Sequence, residues 1–280
     1  AQLEGFDLAE EPVADGRALA EAAGLGNVRL YAGDILDPSV TEGPFDYIIA
    51  HGVYAWVPEP VREALMALIA RTLSPEGIAF VSYNVMPGCG LRVAISQILR
   101  AHVAAIEAPG ARLEEARAFL AWLETQWAEG TPHQRALAAQ ARTMLERPPA
   151  VLYHDELGEG FAPLTLAEFV AAAARHELTY LGDAQAVPNL PAFFPEEAPD
   201  ELVSRAGGSW LAYEQLSDTV SQLQFRESLL CRGGPVMRRL DTERLRDLFV
   251  HGSLRRSEGP GGHVFFTDTR GVRVETDGGV

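Results

Sequence analysis

The chain contains no lysine; all 23 of its basic residues are arginine. That excludes a Schiff-base lysine, a phosphate-loop lysine and any automethylation on lysine within these 280 residues. It reads as codon bias in an Ala- and Arg-rich organism. Cysteine is scarce too. Cys89 and Cys231 lie too far apart to form a zinc cluster alone, and they read as two free thiols. No apolar run reaches the roughly 18 to 20 residues of a membrane span. The opening Ala1-Gln2-Leu3-Glu4 has neither the basic stretch nor the apolar core of a secretion signal. A cytoplasmic location is therefore expected. The missing initiator Met hints at a piece of a longer chain. Positive charge is outweighed, with 39 acidic residues against 23 basic ones and a net charge of -16. Such a surface repels phosphate backbones, so no nucleic-acid partner is expected. What is abundant is apolar residues, at 47%, enough for one large or two modest domains.

The pattern along the chain is α/β. "LEGFDL" reads as a short strand. "EEPVADGRALAEAAG" reads as a helix, with two acids and Pro12 in its first turn and Gly24 past its end. "NVRLYAGDIL" is a second strand, and "FDYIIAH" a third whose apolar run predicts burial on both faces. "PVREALMALIARTL" is a helix with Val61, Leu65, Leu68, Ile69 and Leu73 on one face. "SPEG" ends it, and "IAFVSYN" is a fourth strand. Short links predict a parallel, doubly wound sheet. "DPSVTEGP" leaves room for no more than one helical turn. Residues 91 to 147 read as an all-helical module, and "RPPAVLYHDELGEG" as a break. "TLAEFVAAAARHELTYLGDAQ" returns to helix and strand. "NLPAFFPEEAPDE" reads as a loop, and "WLAYEQLSDTVSQLQFRESLLCR" as a helix with a strand-like tail. From Asp241 a short helix precedes the strand-like "GHVFFTDT" and "VRVET".

Ligands of doubly wound sheets bind at the carboxyl ends of the strands. Those ends here are Asp7, then Gly33-Asp34-Ile35, then His51-Gly52-Val53, then Tyr83-Asn84. A strand-terminal acid accepts both hydroxyls of a ribose. The next acid accepts from an exocyclic amine, and Ile35 covers a base face. Singly, each is an ordinary cap or turn. In series they describe a nucleoside pocket.

"GFDL", "NVRLYAGDIL", "FDYIIAHGVYAWVP" and "LSPEGIAFVSYNVMPG" together resemble the class I S-adenosylmethionine-dependent methyltransferases. "HDEL…FAPL…EF…A…ARHELTYLGDA" and "FRESLLCR" narrow this to the branch with a methyltransferase regulatory domain, which includes bacterial protein lysine methyltransferases. The resemblance implies S-adenosyl-L-methionine as cofactor. It puts Asp7 on the ribose, Gly33, Asp34 and Ile35 at the adenine, and His51, Gly52 and Val53 beside the methionine moiety. Tyr54 and Trp56 would face the methyl-acceptor channel as an aromatic wall beside a cation, with Tyr83 and Asn84 also on the substrate side. The family's glycine-rich loop should precede "LEGFDL" and is not present; "GLGNV" lies between a helix and a strand, the reverse context. The expectation is a Rossmann-like sheet lacking its first strand, truncated at both ends and carrying a helical regulatory module. It divides as a partial core at 1–88, a helical module at 89–185, a return to the sheet at 186–235, and the start of a further domain at 236–280. No catalytic acid or base is assigned, because methyl transfer is an in-line displacement that needs alignment.

The implied acceptor is a lysine amine on a protein. A small-molecule acceptor and a non-catalytic interaction fragment stand as alternatives, and oligomeric state is left open. Other polar groups read as structural. His154, Asp155 and Glu156 form a solvated turn, and no metal site is expected. His102 is a core or interface histidine, Trp122 and Trp127 pack against different neighbours, and Phe225, Arg226 and Cys231 are structural. Ser82 and Ser96 have no base with an orienting partner, so no hydrolase triad is read.

Overall fold

A computed structural model describes residues 1–158, 160–185, 198–233, 255–258, 264–267 and 273–276. The chain divides into two compact units, Ala1–Val236 and Met237–Val280. In the first, β1 (Leu3–Asp7) and β2 (Val28–Ala32) pair in parallel, joined by α1 (Glu10–Ala22). Glu10 and Glu11 favour the positive start of α1, and left-handed Gly24 (φ 69) follows its end. The register matches Asp7 with Ala32, so both strands deliver their carboxyl ends together. No helix forms across 37–44, where the chain crosses to the next strand through a single turn closed by the Val40 N–H on the Asp37 carbonyl at 3.0 Å.

A second sheet runs in the order β3-β4-β6-β5. It comprises β3 (Phe45–Ala50), β4 (Leu73–Asn84), β5 (Leu178–Asp183) and β6 (Phe225–Arg232). Only the β3–β4 pair is parallel; β6 runs antiparallel to both its neighbours. The doubly wound expectation therefore holds for the parallel pairs, while the later strands return antiparallel. β4 is longer than expected because Leu73–Gly77, read as the end of a helix, already belongs to it. The helix before it, α2 (Glu59–Thr72), buries Leu65, Met66, Leu68 and Ile69. With α7 (Leu166–Arg175) it covers one face of the sheet, over Ala79, Val81, Tyr83, Leu178, Tyr180 and Leu230. Burial of β3 on both faces is not what forms. Tyr47 and Ile49 are 74% and 73% exposed, because no described element packs on their side.

The stretch read as helical forms three helices, α3 (Gly90–His102), α4 (Pro109–Ala128) and α5 (Pro132–Leu145). A fourth, α6 (Pro149–Leu157), replaces the expected break. Pro148 and Pro149 do not interrupt it, since they stand at its cap and first position, where no intrahelical N–H is needed. The four share a core of Ile95, Leu99, Leu120, Ala141, Met144 and Leu152. Capping boxes start α5 at Thr131 and Gln134, and α7 at Thr165 and Glu168. The loop reading at 189–201 lies mostly outside the described residues, but α8 (Ala198–Ala206) occupies its end. α9 (Trp210–Ser221) leads into β6. The second unit contributes three antiparallel strands, β7 (Arg255–Glu258), β8 (Val264–Thr267) and β9 (Arg273–Thr276). The helix expected after Asp241 lies outside the described residues.

Candidate functional site

Two groups of strand ends carry the residues singled out above. The first is at β1 and β2. Asp7 accepts the backbone N–H of Ala9 through Oδ1 at 2.8 Å. Its own carbonyl accepts the N–H of Gly33 at 2.9 Å, which holds the two strand ends side by side. Asp34 accepts the N–H of Leu36 at 2.9 Å through Oδ1. Each acid therefore spends one carboxylate oxygen on its own turn and keeps the other exposed. A Cβ at Gly33 would come within 2.6 Å of Val40, so only glycine lets the 33–40 turn close against β2. Ile35 is half-buried against the main core.

The second group is at β3 and β4. Gly52 has φ 72, a conformation that disfavours any other residue, and it turns the chain sharply after His51. His51 Nδ1 lies 2.9 Å from Ser82 Oγ, and the Gly52 N–H donates to the same oxygen at 2.9 Å. Ser82 thus has a histidine neighbour that sequence reasoning missed. Residues 51 and 82 are far apart in sequence, and only the β3–β4 register brings them together. No hydrolase triad results, because Ser82 is 0% exposed and His51 has no carboxylate partner among the described residues. Asn84 is buried and directs its amide to the Gln224 carbonyl at 3.4 Å. Val53 is half-buried at the start of the next turn.

The aromatics of this turn are occupied internally, which differs from an open channel wall. Tyr54 is 2% exposed, edge-on to Phe169 at 5.3 Å and to Tyr83 at 6.1 Å. Burial pushes its hydroxyl up to about 12. Tyr83 stacks on Phe169 at 4.3 Å and shares a hydrogen bond with Ser228 at 3.0 Å, which makes it core. Trp56 stacks on Phe161 at 4.7 Å and meets His154 at 5.4 Å and the Arg92 guanidinium at 5.6 Å. Sequence spacing could not show this, because Arg92 arrives from α3 and Phe161 from beyond α6.

Arg92 anchors that arrangement. It donates through Nε to Glu156 at 2.9 Å and through Nη2 to Asp155 at 2.8 Å. Ser96 donates to the other Glu156 oxygen. The expected solvated turn at 154–156 is thus a helix end carrying a buried ion pair, because α3 supplies the opposite charge. Nearby, the Ala162 N–H bonds the Ala55 carbonyl at 2.9 Å, and Arg62 bonds the Ala162 carbonyl at 2.8 Å. Gly160 closes the join: a Cβ there would sit 2.2 Å from the Trp56 carbonyl oxygen. His102 is not core but sits where α3 meets α4, pairing with Glu115 at 2.7 Å and lying on Phe119 at 3.7 Å near the surface. Trp122 is 55% exposed, whereas Trp127 packs on the helical core. Among the described residues, no group of three metal-ligating side chains occurs and no helix is long and apolar enough to cross a membrane. A cleft of about 450 Å³ lined by Arg17, Leu25 and Leu30 lies at the amino end of β2, away from these strand ends.

Most of these strands and strand ends lie in stretches that match two methyltransferase-related family models. Residues 1–77 match the family model described as a methyltransferase domain. Residues 148–232 match the one described as a predicted methyltransferase regulatory domain. Among solved structures, the chain is similar to PKMT2 from Rickettsia typhi in complex with AdoHcy. That match has a TM-score of 0.79 and 26% identity, over 98% of this chain and 55% of the other. Among sequences, it is 30% identical to the uncharacterized protein RP789 of Rickettsia prowazekii over 82% of this chain and 42% of that protein. A second uncharacterized protein of that organism, RP028, is 31% identical over 55% of this chain and 62% of its own length. The chain spans about half the length of the relatives it matches.

Proposed function

We propose that this chain is part of an S-adenosylmethionine-dependent methyltransferase that acts in the cytoplasm on lysine side chains of protein substrates. The observation that carries the reading is its similarity, over 98% of its length, to a PKMT2 structure holding AdoHcy. The residues present fit the nucleoside end of such a cofactor. The free oxygen of Asp7 suits a ribose hydroxyl. The free oxygen of Asp34 suits an exocyclic amine. Gly33 lets the turn close, and Ile35 offers an apolar edge to the base. His51, Gly52 and Val53 line the neighbouring strand end, where the amino-acid portion would lie.

S-adenosylmethionine, when bound, supplies an electrophilic methyl group on a sulfonium. The chain's own contribution is alignment and exclusion of water. Tyr54 and Trp56 serve the acceptor side indirectly, by fixing the turn that follows His51. The acceptor amine must be delivered neutral. It must also come from elsewhere, since these 280 residues contain no lysine. Calorimetric titration with AdoHcy tests the cofactor half of the reading, and we expect saturable heat. No heat at millimolar ligand would refute it. Methyl transfer from radiolabelled cofactor to lysine-containing, but not lysine-free, peptides tests the acceptor half. Equal labelling of both would point to a different nucleophile.

A further inference from the structure

We propose that Ser82 locks His51 as its Nε2–H tautomer, and that this outward proton is a hydrogen-bond donor to a carboxylate or carbonyl oxygen of the bound ligand. The proposal rests on the methyltransferase reading for its ligand, though not for its tautomer.

The argument starts from one proton. A serine hydroxyl has one hydrogen to give and two lone pairs to receive with. Ser82 Oγ already receives the Gly52 N–H at 2.9 Å. Its other neighbour is His51 Nδ1, also at 2.9 Å. If Nδ1 carried the ring proton, Ser82 would accept twice. Its own hydrogen would then be stranded at a fully buried position. If Ser82 donates to Nδ1, every group is satisfied, as buried polar groups normally are. The neutral ring must then carry its proton on Nε2.

The surroundings hold that nitrogen ready. β3 and β4 pair at Ala50 and Val81, so His51 and Ser82 emerge as neighbours from adjacent strands. The imidazole lies 6.0 Å from Phe80, tilted, and 6.0 Å edge-on from Phe225. The ring is thus fixed by a hydrogen bond at one nitrogen and by two aromatic flanks. His51 itself is exposed, and Nε2 has no protein partner among the described residues. A fixed donor at the carboxyl end of a strand is suited to an oxygen acceptor. Two sources carry that chemistry: the amino-acid carboxylate of the cofactor and a main-chain carbonyl of the peptide acceptor. The same tautomer leaves no lone pair facing the ligand, so His51 does not take the proton of an acceptor amine.

Ring-nitrogen NMR of ¹⁵N-histidine-labelled protein, assigned by comparison with His51→Gln, reads the tautomer directly. We expect an unprotonated Nδ1 and a protonated Nε2 in the wild type, and a mixture in Ser82→Ala. A protonated Nδ1 in the wild-type neutral ring overturns the proposal while leaving the methyltransferase reading intact. His51→Gln places an amide near Nε2, whereas His51→Asn places one near Nδ1. We expect the Gln variant to keep more of the wild-type affinity than the Asn variant, which should lose up to about tenfold, the span of one hydrogen bond. Loss of AdoHcy affinity assigns the oxygen to the cofactor. Unchanged AdoHcy affinity with a raised acceptor KM assigns it to the peptide. An Asn variant that matches wild type in both overturns the donor role. A wild-type chain that binds no AdoHcy removes the methyltransferase reading and the donor role together.

Discussion

Asp7 holds its own turn with one carboxylate oxygen, which accepts the Ala9 N–H, and under the proposed function it offers the other to the cofactor ribose. These purposes separate by substitution. Asp7→Asn keeps an oxygen for the turn but removes the charge that strengthens a bond to a hydroxyl. AdoHcy affinity should fall about 10- to 100-fold, the equivalent of about 1.5–3 kcal/mol for a hydrogen bond to a charged group. The thermal midpoint should move little. Titration calorimetry beside a melting curve checks both; unchanged affinity would remove Asp7 from the ligand site. Tyr54 shows the opposite case. It is buried against Phe169 and Tyr83, so Tyr54→Phe should leave acceptor KM unchanged, and a raised KM would restore it to the channel. Asp7 was legible in the sequence because it closes a short strand just before a helix start. The burial of Tyr54 was not, because the same two-residue spacing serves an open wall and a core equally well.

Among the elements, the join between the turn at 54–57 and helices α3 and α6 takes an ion pair out of water. Arg92 meets two carboxylates and the faces of two aromatic rings. Removing one partner of such a buried pair costs about 3–5 kcal/mol. Arg92→Met should lower stability by that order in urea denaturation. It should also make Trp56 more accessible to acrylamide, measured against a Trp56→Phe control. Stability lost without any change at Trp56 would confine Arg92 to the helical module. The elements themselves were largely visible beforehand, through helical apolar spacing and helix-start signals. The join was not, since Arg92 and Glu156 are 64 residues apart and their pairing is tertiary. α6 was missed for a local reason: a Pro-Pro pair reads as a break unless it stands at the first turn.

For the molecule as a whole, the buried Arg226 sets a pH dependence. It pairs with Asp218 at 2.8 Å, Glu214 at 3.1 Å and Asp183 at 3.3 Å, one cation among three acids. Burial raises all three carboxyls above their ordinary values. Each therefore holds a proton in the folded chain at a pH where the unfolded chain has lost it. Their contribution is fully present below about pH 4 and is lost as pH rises through the raised values. Asp183→Asn should flatten that decline in denaturation midpoints measured from pH 5 to 8; an unaltered slope would show that Asp183 does not titrate there. Glu63 acts in the reverse sense. Hydrogen bonds from Arg175 and His176 lower it, so its smaller, partly screened contribution fades as pH falls. The open side of β3 has a colloidal consequence. Among the described residues β3 is bonded to one neighbour, β4, and such a strand, with Tyr47 and Ile49 exposed, is a template for a strand of another molecule. What opposes that pairing is mutual repulsion between copies carrying -16 each. Salt weakens this barrier, since the Debye length falls from about 10 Å at 0.1 M to about 3 Å at 1 M. Light scattering across a salt series should accordingly show self-association rising with ionic strength, and a flat series would mean that the bare strand is shielded in solution.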